Sequence, residues 1–172
     1  MAQVFVSIGS NINREHYINS CLDALQIEFG ELELSSVYES EAVGFDGDCF
    51  YNMVAAFHTE LSVGQLNLAL KGIEDRNQRS RQGPKFSGRT LDIDILTYDA
   101  LIGDIEGVAL PREEIIHNAF VLCPLAELAP KECHPVLAET YQQLWLEYDK
   151  ASQKLWLVDF SWQDEKISQM SG

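Results

Sequence analysis

The 172-residue sequence has few basic residues and no long apolar run. A membrane-spanning helix needs about 20 consecutive apolar residues, which the chain does not offer. The short apolar run after Met1 has no basic leader, so it predicts a first strand and not a signal peptide. A cytoplasmic protein without a membrane partner is expected. With 12 Lys and Arg and a formal net charge of −15, the surface should repel nucleic acid.

Several common motifs are also missing. The four cysteines form no CxxC pair, which favours free thiols in a reducing compartment over two disulfides. No internal repeat or linker divides the chain, and its length suits one core, so residues 1–172 are predicted to form a single domain. No GxxxxGK[ST] loop occurs, so any phosphate must be held by side chains and metal.

Apolar periodicity predicts the order strand, helix, strand, strand, helix, strand in the first part of the chain. The four strands are predicted at residues 2–9, 31–39, 50–59 and 90–98. This order is typical of a ferredoxin-like βαββαβ core, an α/β (α+β) fold with an antiparallel sheet.

The predicted helices have recognisable ends. Asn13 is expected to cap the first helix and Gly30 to end it, while Ser62 and Gln65 have the spacing of a capping box at the start of the second.

After Tyr98 the patterns are weaker. A short strand within residues 105–110 is predicted to pair with the fourth strand, through a turn near Gly103. Extra C-terminal helices are predicted at 118–128 and 137–148, followed by a strand within 155–162.

Five basic residues are clustered in the polar segment between the second helix and the fourth strand: Arg76, Arg79, Arg81, Lys85 and Arg89. On an acidic chain, such a cluster is a candidate site for a small polyanion, because the surrounding field otherwise opposes binding one. A solvated charged loop is the alternative.

The fourth predicted strand carries two carboxylates on one face. Strand side chains alternate, so Asp92 and Asp94 lie on the same face, about 7 Å apart, opposite the apolar residues Leu91, Ile93 and Ile95. Like charges on neighbouring same-face positions repel, and Asp is a poor strand former. Mg²⁺, which binds through one or two carboxylates together with substrate phosphates, would offset that cost. A solvated acidic strand is the alternative.

These segments together resemble the 6-hydroxymethyl-7,8-dihydropterin pyrophosphokinase family of folate biosynthesis. The resemblance covers residues 4–130. Its main motifs are Ile8-Gly9-Ser10-Asn11, Phe50-Tyr51-Asn52, Ile73-Glu74, the RTLDIDIL segment that begins at Arg89, and Phe120-Val121-Leu122.

The resemblance implies an enzyme that transfers pyrophosphate from ATP to the hydroxymethyl group of the dihydropterin and releases AMP. It implies two Mg²⁺ ions on Asp92 and Asp94, with Asp94 also a candidate acceptor for the hydroxyl proton. The implied acceptor site consists of Val43, Gly44, Phe50, Asn52 and Phe120. The implied ATP and phosphate contacts are Glu74, Arg79, Arg81, Phe86, Arg89 and Arg112. Partners would be these small molecules only, and the protein a monomer or weak homodimer.

The sequence departs from the family pattern at two important places. The family's histidine after Pro111 is Arg112 here, and its arginine two places before Phe120 is Asn118; both family residues contact the nucleotide's phosphates. Two alternatives therefore remain: a degenerate paralogue that binds ATP or a pterin-like ligand without transfer, and a non-enzymatic ferredoxin-like small-molecule-binding module. Paired strand carboxylates beside an arginine loop argue against the second.

Overall fold

The computed structural model of the chain describes residues 1–41, 48–77 and 90–170. The strands in these ranges are Ala2–Ser10 (β1), Glu33–Leu34 (β2), Tyr38–Ser40 (β3), Phe50–Thr59 (β4), Asp92–Tyr98 (β5), Gly103–Ile105 (β6), Val108–Leu110 (β7), Leu155–Leu157 (β8), Phe160–Trp162 (β9) and Glu165–Ser168 (β10). The helices are Arg14–Phe29 (α1), Val63–Arg76 (α2), Glu114–His117 (α3), Ala119–Leu128 (α4) and Tyr141–Glu147 (α5). Within these ranges, no helix combines the length and apolar character that a bilayer crossing requires.

The central sheet is antiparallel and has the strand order β5-β1-β4-β3-β8, with β2 also paired to β4. The four predicted strands thus lie in the spatial order fourth, first, third, second, which confirms the ferredoxin-like core. Helices α1 and α2 cover one face of the sheet, in a core that includes Ile8, Leu22, Leu66 and Ile93. Helix α4 covers part of the other face, and α5 packs against α4.

The second helix begins as the sequence predicts. Ser62 Oγ accepts a hydrogen bond from the Gln65 N–H at 3.3 Å, and Gln65 Oε1 accepts one from the Ser62 N–H at 2.9 Å. The predicted cap of α1 is wrong in detail. Asn13 has a left-handed φ of 45° and, among the described residues, makes no side-chain capping bond. Gly30, with φ 82°, does end α1, and its N–H donates to Gln26 O at 2.8 Å.

The strand predicted at 31–39 is interrupted by Ser35. The N–H of Ser35 donates to Val54 O at 2.9 Å, but the Val54 N–H donates to the Ser35 hydroxyl, also at 2.9 Å, and not to a carbonyl. A side chain therefore replaces the backbone acceptor in the ladder, and β2 and β3 become separate strands.

The prediction that 105–110 pairs with the fourth strand is wrong. Strands β6 and β7 pair with each other in a separate two-stranded hairpin. Its turn residues Glu106 and Gly107 both have positive φ, 50° and 87°, as a two-residue hairpin turn of the primed type requires. The Asp104 carboxylate also accepts a hydrogen bond from the Gly107 N–H at 3.0 Å.

The C-terminal segment adds a strand to the main sheet and a separate hairpin. Strand β8 extends the edge at β3, where Trp156 Nε1 donates to Glu39 Oε1 at 3.0 Å. Strands β9 and β10 form a hairpin of their own. The predicted strand at 155–162 is thus two strands in different sheets. The four cysteines, all within the described residues, are free thiols, as the sequence predicts.

Candidate active site

Three strands bring Asp92, Gly9 and Asn52 into one row. Gly9 in β1 lies directly opposite Asn52 in β4 on one side and directly opposite Asp92 in β5 on the other. Residues that face each other across neighbouring strands point to the same face, and strands are about 4.8 Å apart. The amide and the carboxylate therefore stand roughly 10 Å apart on one face, with only a glycine between them. This row lies on the face of the sheet against which α4 packs.

The glycine in this row is needed because its neighbours approach closely. A Cβ atom at Gly9 would lie 3.2 Å from Asn52 Oδ1 and 3.6 Å from Phe50 Cδ1. The first distance is tighter than ordinary van der Waals contact, so an alanine would displace the asparagine amide.

Asn52 is held in a defined orientation. Its side chain is buried, and Nδ2 donates a hydrogen bond to Ser40 Oγ at 2.7 Å. Phe50, two residues earlier in β4, projects from the same face and is partly exposed. Asn52 and Phe50 were predicted as acceptor-site residues, and the structure brings them together beside Gly9. Ser40 was not predicted, because a serine at a strand end carries no distinctive sequence signal.

The carboxylate pair lies where the alternation of β5 predicts. Leu91, Ile93 and Ile95 are buried, whereas Asp92 and Asp94 are partly exposed on the opposite face. Burial, followed by repulsion from Asp92, raises the pKa of Asp94 to about 7, although Arg112 acts in the opposite direction. A carboxylate whose charged form is disfavoured in this way gains from a bound cation.

Arg112 lies beside Asp94. Its Nη2 is 3.6 Å from Asp94 Oδ1, and its backbone N–H donates to Leu96 O at 2.9 Å, which fixes the residue against β5. The guanidinium also bonds both carboxylate oxygens of Glu114, with Nη2 to Oε1 at 3.2 Å and Nε to Oε2. Glu114 was not predicted as part of the site. In this arrangement, Arg112 is shared between the carboxylates of Asp94 and Glu114.

Glu74 supports the carboxylate strand from α2. The residue is 3% exposed, and its Oε2 accepts a hydrogen bond from the Ile93 N–H at 2.7 Å. Since Ile93 lies between Asp92 and Asp94, this bond fixes the backbone that carries both side chains. Thr90 lies two residues before β5, and within the described residues its buried Oγ1 has no hydrogen-bond partner.

Phe120 and Asn118 mark the start of α4. Phe120 lies in the first turn and packs against the apolar core on the site face of the sheet. Asn118 precedes the helix in extended conformation, and its Oδ1 accepts a hydrogen bond from Gln153 Nε2 at 3.2 Å. Six of the predicted site residues lie outside the described residues: Val43, Gly44, Arg79, Arg81, Phe86 and Arg89.

The acidic groups limit the kind of metal site that can form. Within residues 1–41, 48–77 and 90–170, no group of three or more His, Cys, Asp or Glu side chains could hold a metal ion. Asp92 and Asp94 alone would supply two hard oxygen ligands. A carboxylate pair of this kind suits Mg²⁺, which completes its shell with water and substrate phosphates, and not a structural zinc ion.

Comparisons with known proteins agree on one family. The model of the 7,8-dihydro-6-hydroxymethylpterin-pyrophosphokinase (HPPK) family matches residues 5–130. The 2-amino-4-hydroxy-6-hydroxymethyldihydropteridine pyrophosphokinase of Aquifex aeolicus is 35% identical over 142 residues, which are 79% of this chain and 86% of that protein. The Pseudomonas aeruginosa protein of the same name is 36% identical over 132 residues, covering 74% of this chain and 81% of its own length.

A solved structure shows the same fold over nearly the whole chain. Wild-type HPPK-DHPS of Plasmodium falciparum superposes with a TM-score of 0.70 at 13% sequence identity. The match covers 97% of this chain and 50% of the Plasmodium chain, so this protein spans about half the length of that structure.

Proposed function

The chain belongs to the 7,8-dihydro-6-hydroxymethylpterin-pyrophosphokinase family, and from this premise we propose that it transfers pyrophosphate from ATP to 6-hydroxymethyl-7,8-dihydropterin. The acceptor is the hydroxymethyl group, and AMP is the second product. One observation carries the assignment of the site. The row Asp92, Gly9 and Asn52 runs across three strands, with one carboxylate of the Asp92–Asp94 pair at one end and the oriented Asn52 amide at the other.

The acceptor site in this proposal lies at the Asn52 end of the row. The asparagine amide offers both a donor and an acceptor to the edge of the pterin, and its bond to Ser40 sets the direction in which they point. Phe50 and Phe120 are proposed to contact the faces of the heterocycle, and Val43 and Gly44 to contribute to the same acceptor site. Both aromatic residues lie on the same side of the sheet, which supports their pairing.

The donor site lies at the carboxylate end. Asp92 and Asp94 would hold two Mg²⁺ ions, which when bound neutralise and align the phosphates of ATP. Arg79, Arg81, Arg89 and Arg112 are proposed to contact phosphate oxygens, and Phe86 and Glu74 to contribute to the nucleotide site. Two observations support a ligand at this position: the raised pKa of Asp94, and the buried Thr90 hydroxyl, which has no hydrogen-bond partner in the part of the chain that the structure describes.

The transfer requires one new bond and one broken bond. The hydroxymethyl oxygen attacks the β-phosphorus, and the bond from that phosphorus to the oxygen bridging to the α-phosphate breaks, so that its electron pair leaves with AMP. Asp94 accepts the hydroxyl proton; a pKa of about 7 in the metal-free protein suits a base at neutral pH. Metal binding would lower that pKa, so the two proposed roles of Asp94 compete.

The test is an AMP assay with ATP, Mg²⁺ and the dihydropterin. AMP should form only when all three are present, and Asp92→Asn should abolish it. If the wild type binds α,β-methylene-ATP and the pterin but releases no AMP, it is a degenerate paralogue. If it binds neither, the proposed function is wrong.

Two further properties stay predictions: the cytoplasmic location, and the monomeric or weakly homodimeric state, which sedimentation would check.

A further inference from the structure

The junction between α3 and α4 is held by a residue from the C-terminal segment. Gln153 Oε1 accepts a hydrogen bond from the Ala119 N–H at 2.8 Å. Gln153 Nε2 donates to Asn118 Oδ1 at 3.2 Å and to His117 O at 3.3 Å. The side-chain amide of Gln153 thus bonds to three consecutive residues, His117, Asn118 and Ala119. Gln153 itself lies 34 positions after Ala119 in the chain.

This glutamine takes the place of a local helix cap. The Asn118 side chain makes no capping bond to α4 within the described residues, and Ala119 is 1% exposed, so water cannot easily reach its N–H. A buried N–H without a partner destabilises the fold, and Gln153, which is not part of α4, supplies the acceptor for this one. Tyr148 adds a second tie by donating its hydroxyl to His117 O at 2.7 Å.

Gln153 is itself fixed by the chain on both sides. Strand β8 begins two residues later, where Leu155 pairs with Ser40. Before it, Ser152 Oγ donates to Asp149 O at 2.7 Å, which closes a turn. Ser40 is also the hydroxyl that orients Asn52. One short segment therefore contacts both sides of the acceptor site: the sheet through Ser40 and the start of α4 through Gln153.

We propose that Gln153 is a positioning residue for the acceptor site, which acts by fixing the first turn of α4 and hence the Phe120 ring. The inference rests on the proposed function, in which Phe120 contacts the pterin. Gln153 lies beyond residues 5–130, the part of the chain that the family model matches. Its loss should weaken pterin binding and leave the proposed ATP site on β5, which Glu74 supports, almost unchanged.

The test compares three variants with the wild type. Gln153→Ala removes all three bonds. Gln153→Glu keeps an acceptor for the Ala119 N–H and places a favourable negative charge at a helix N-terminus, while Asn118 can turn its amide to donate. The bond to His117 O is lost in this variant, but that carbonyl keeps the Tyr148 hydroxyl as a donor. Gln143→Ala is the matched control. This glutamine is exposed, and among the described residues its side chain makes one bond, from Nε2 to Glu147 Oε1 at 2.8 Å within α5.

Two measurements should separate positioning from general loss of structure. Binding of 6-hydroxymethyl-7,8-dihydropterin is titrated with Mg²⁺ and α,β-methylene-ATP present, and the analogue is titrated alone. For Gln153→Ala we expect a pterin Kd about 10-fold higher, equivalent to about 1.4 kcal/mol and similar to the loss of a helix cap. The analogue Kd should stay within about twofold, and acceptor KM should rise without a matching fall in kcat. Amide exchange at Ala119 and Phe120 should be faster.

We expect the pterin Kd of Gln153→Glu to lie within about threefold of the wild-type value. The pterin Kd of Gln143→Ala should equal the wild-type value. The assignment is overturned if Gln153→Ala binds pterin normally, if it loses both ligands in parallel, or if Gln153→Glu is as weak as the alanine variant. A wild type that binds no pterin overturns the proposed function and this assignment together, whereas normal wild-type binding with an unaffected Gln153→Ala overturns only the latter.

Discussion

Replacing Asp94 by asparagine should stabilise the metal-free protein, and the effect should grow with pH. The pKa of Asp94 is raised from 3.8 to about 7, first by burial and then by Asp92. Between pH 4 and 7, the unfolded chain has released this proton while the folded chain keeps it. The unfolded state therefore binds fewer protons, and stability falls as pH rises through this window. Asparagine does not titrate and should not show this loss.

The magnitude follows from the shift and the exposure of the side chain. A shift of this size corresponds to at most about 4 kcal/mol at 1.36 kcal/mol per pKa unit. The Asp94 side chain is 28% exposed, so solvent screens part of the repulsion. We therefore expect the difference in unfolding free energy between Asp94→Asn and wild type to increase by about 1–2 kcal/mol from pH 5 to pH 8.

Urea denaturation of both proteins in EDTA, at several pH values, measures this difference. Asp164→Asn makes the same chemical change in the exposed turn before β10 and controls for net charge. Subtracting the effect of this control at each pH isolates the contribution of position 94. Addition of Mg²⁺ with α,β-methylene-ATP should then stabilise the wild type more than Asp94→Asn. If the difference in unfolding free energy between Asp94→Asn and wild type were the same at every pH, the Asp94 carboxylate would not destabilise the fold. The argument that a bound cation offsets such a destabilisation would then be wrong.

Three further predictions concern neighbouring parts of the site. Arg112→Ala should lower the rate of AMP release roughly 10- to 150-fold, from the loss of about 1.5–3 kcal/mol in a charge-assisted phosphate contact; an unchanged kcat/KM for ATP would contradict that contact. Gly9→Ala should raise the KM for the pterin and leave ATP binding unchanged, because the new Cβ would lie 3.2 Å from Asn52 Oδ1. A pterin KM equal to that of the wild type would show that this contact does not displace the Asn52 amide. Glu74→Ala deprives the Ile93 N–H of this acceptor and should lower the free energy of unfolding by about 1–3 kcal/mol, visible as a shifted urea midpoint.

The sequence predicts those parts of the fold that local patterns determine. The bounds of β4 and the capping box of α2 were correct, because alternation and cap spacing act within a few residues. The break at Ser35 could not be foreseen, since it depends on a hydroxyl meeting the Val54 N–H on another strand. The pairing of β8 with β3 joins residues more than 100 positions apart, and no local pattern encodes it.

The candidate site was predictable to a similar extent. Alternation along β5 placed Asp92 and Asp94 on one face, and the structure has them there. The alignment of Gly9 with both Asp92 and Asn52 required the register of three strands, which depends on the whole sheet. The family resemblance implied a phosphate contact for Arg112 but not its distance from Asp94, because the β6–β7 hairpin between the two residues determines that distance.

The two departures from the family pattern move a positive charge and do not remove it. A neutral histidine and an arginine in the family become Arg112 and Asn118 here, so the sum over the two positions is the same. The structure puts the guanidinium at the carboxylate edge, 3.6 Å from Asp94 Oδ1, and ties the amide of Asn118 to Gln153. An arginine at 118 would lose the side-chain bond to Gln153 that now helps to fix the start of α4. Exchange of the charge between the two positions is therefore compatible with a working phosphate site, provided that Arg112 can leave Glu114 for the nucleotide.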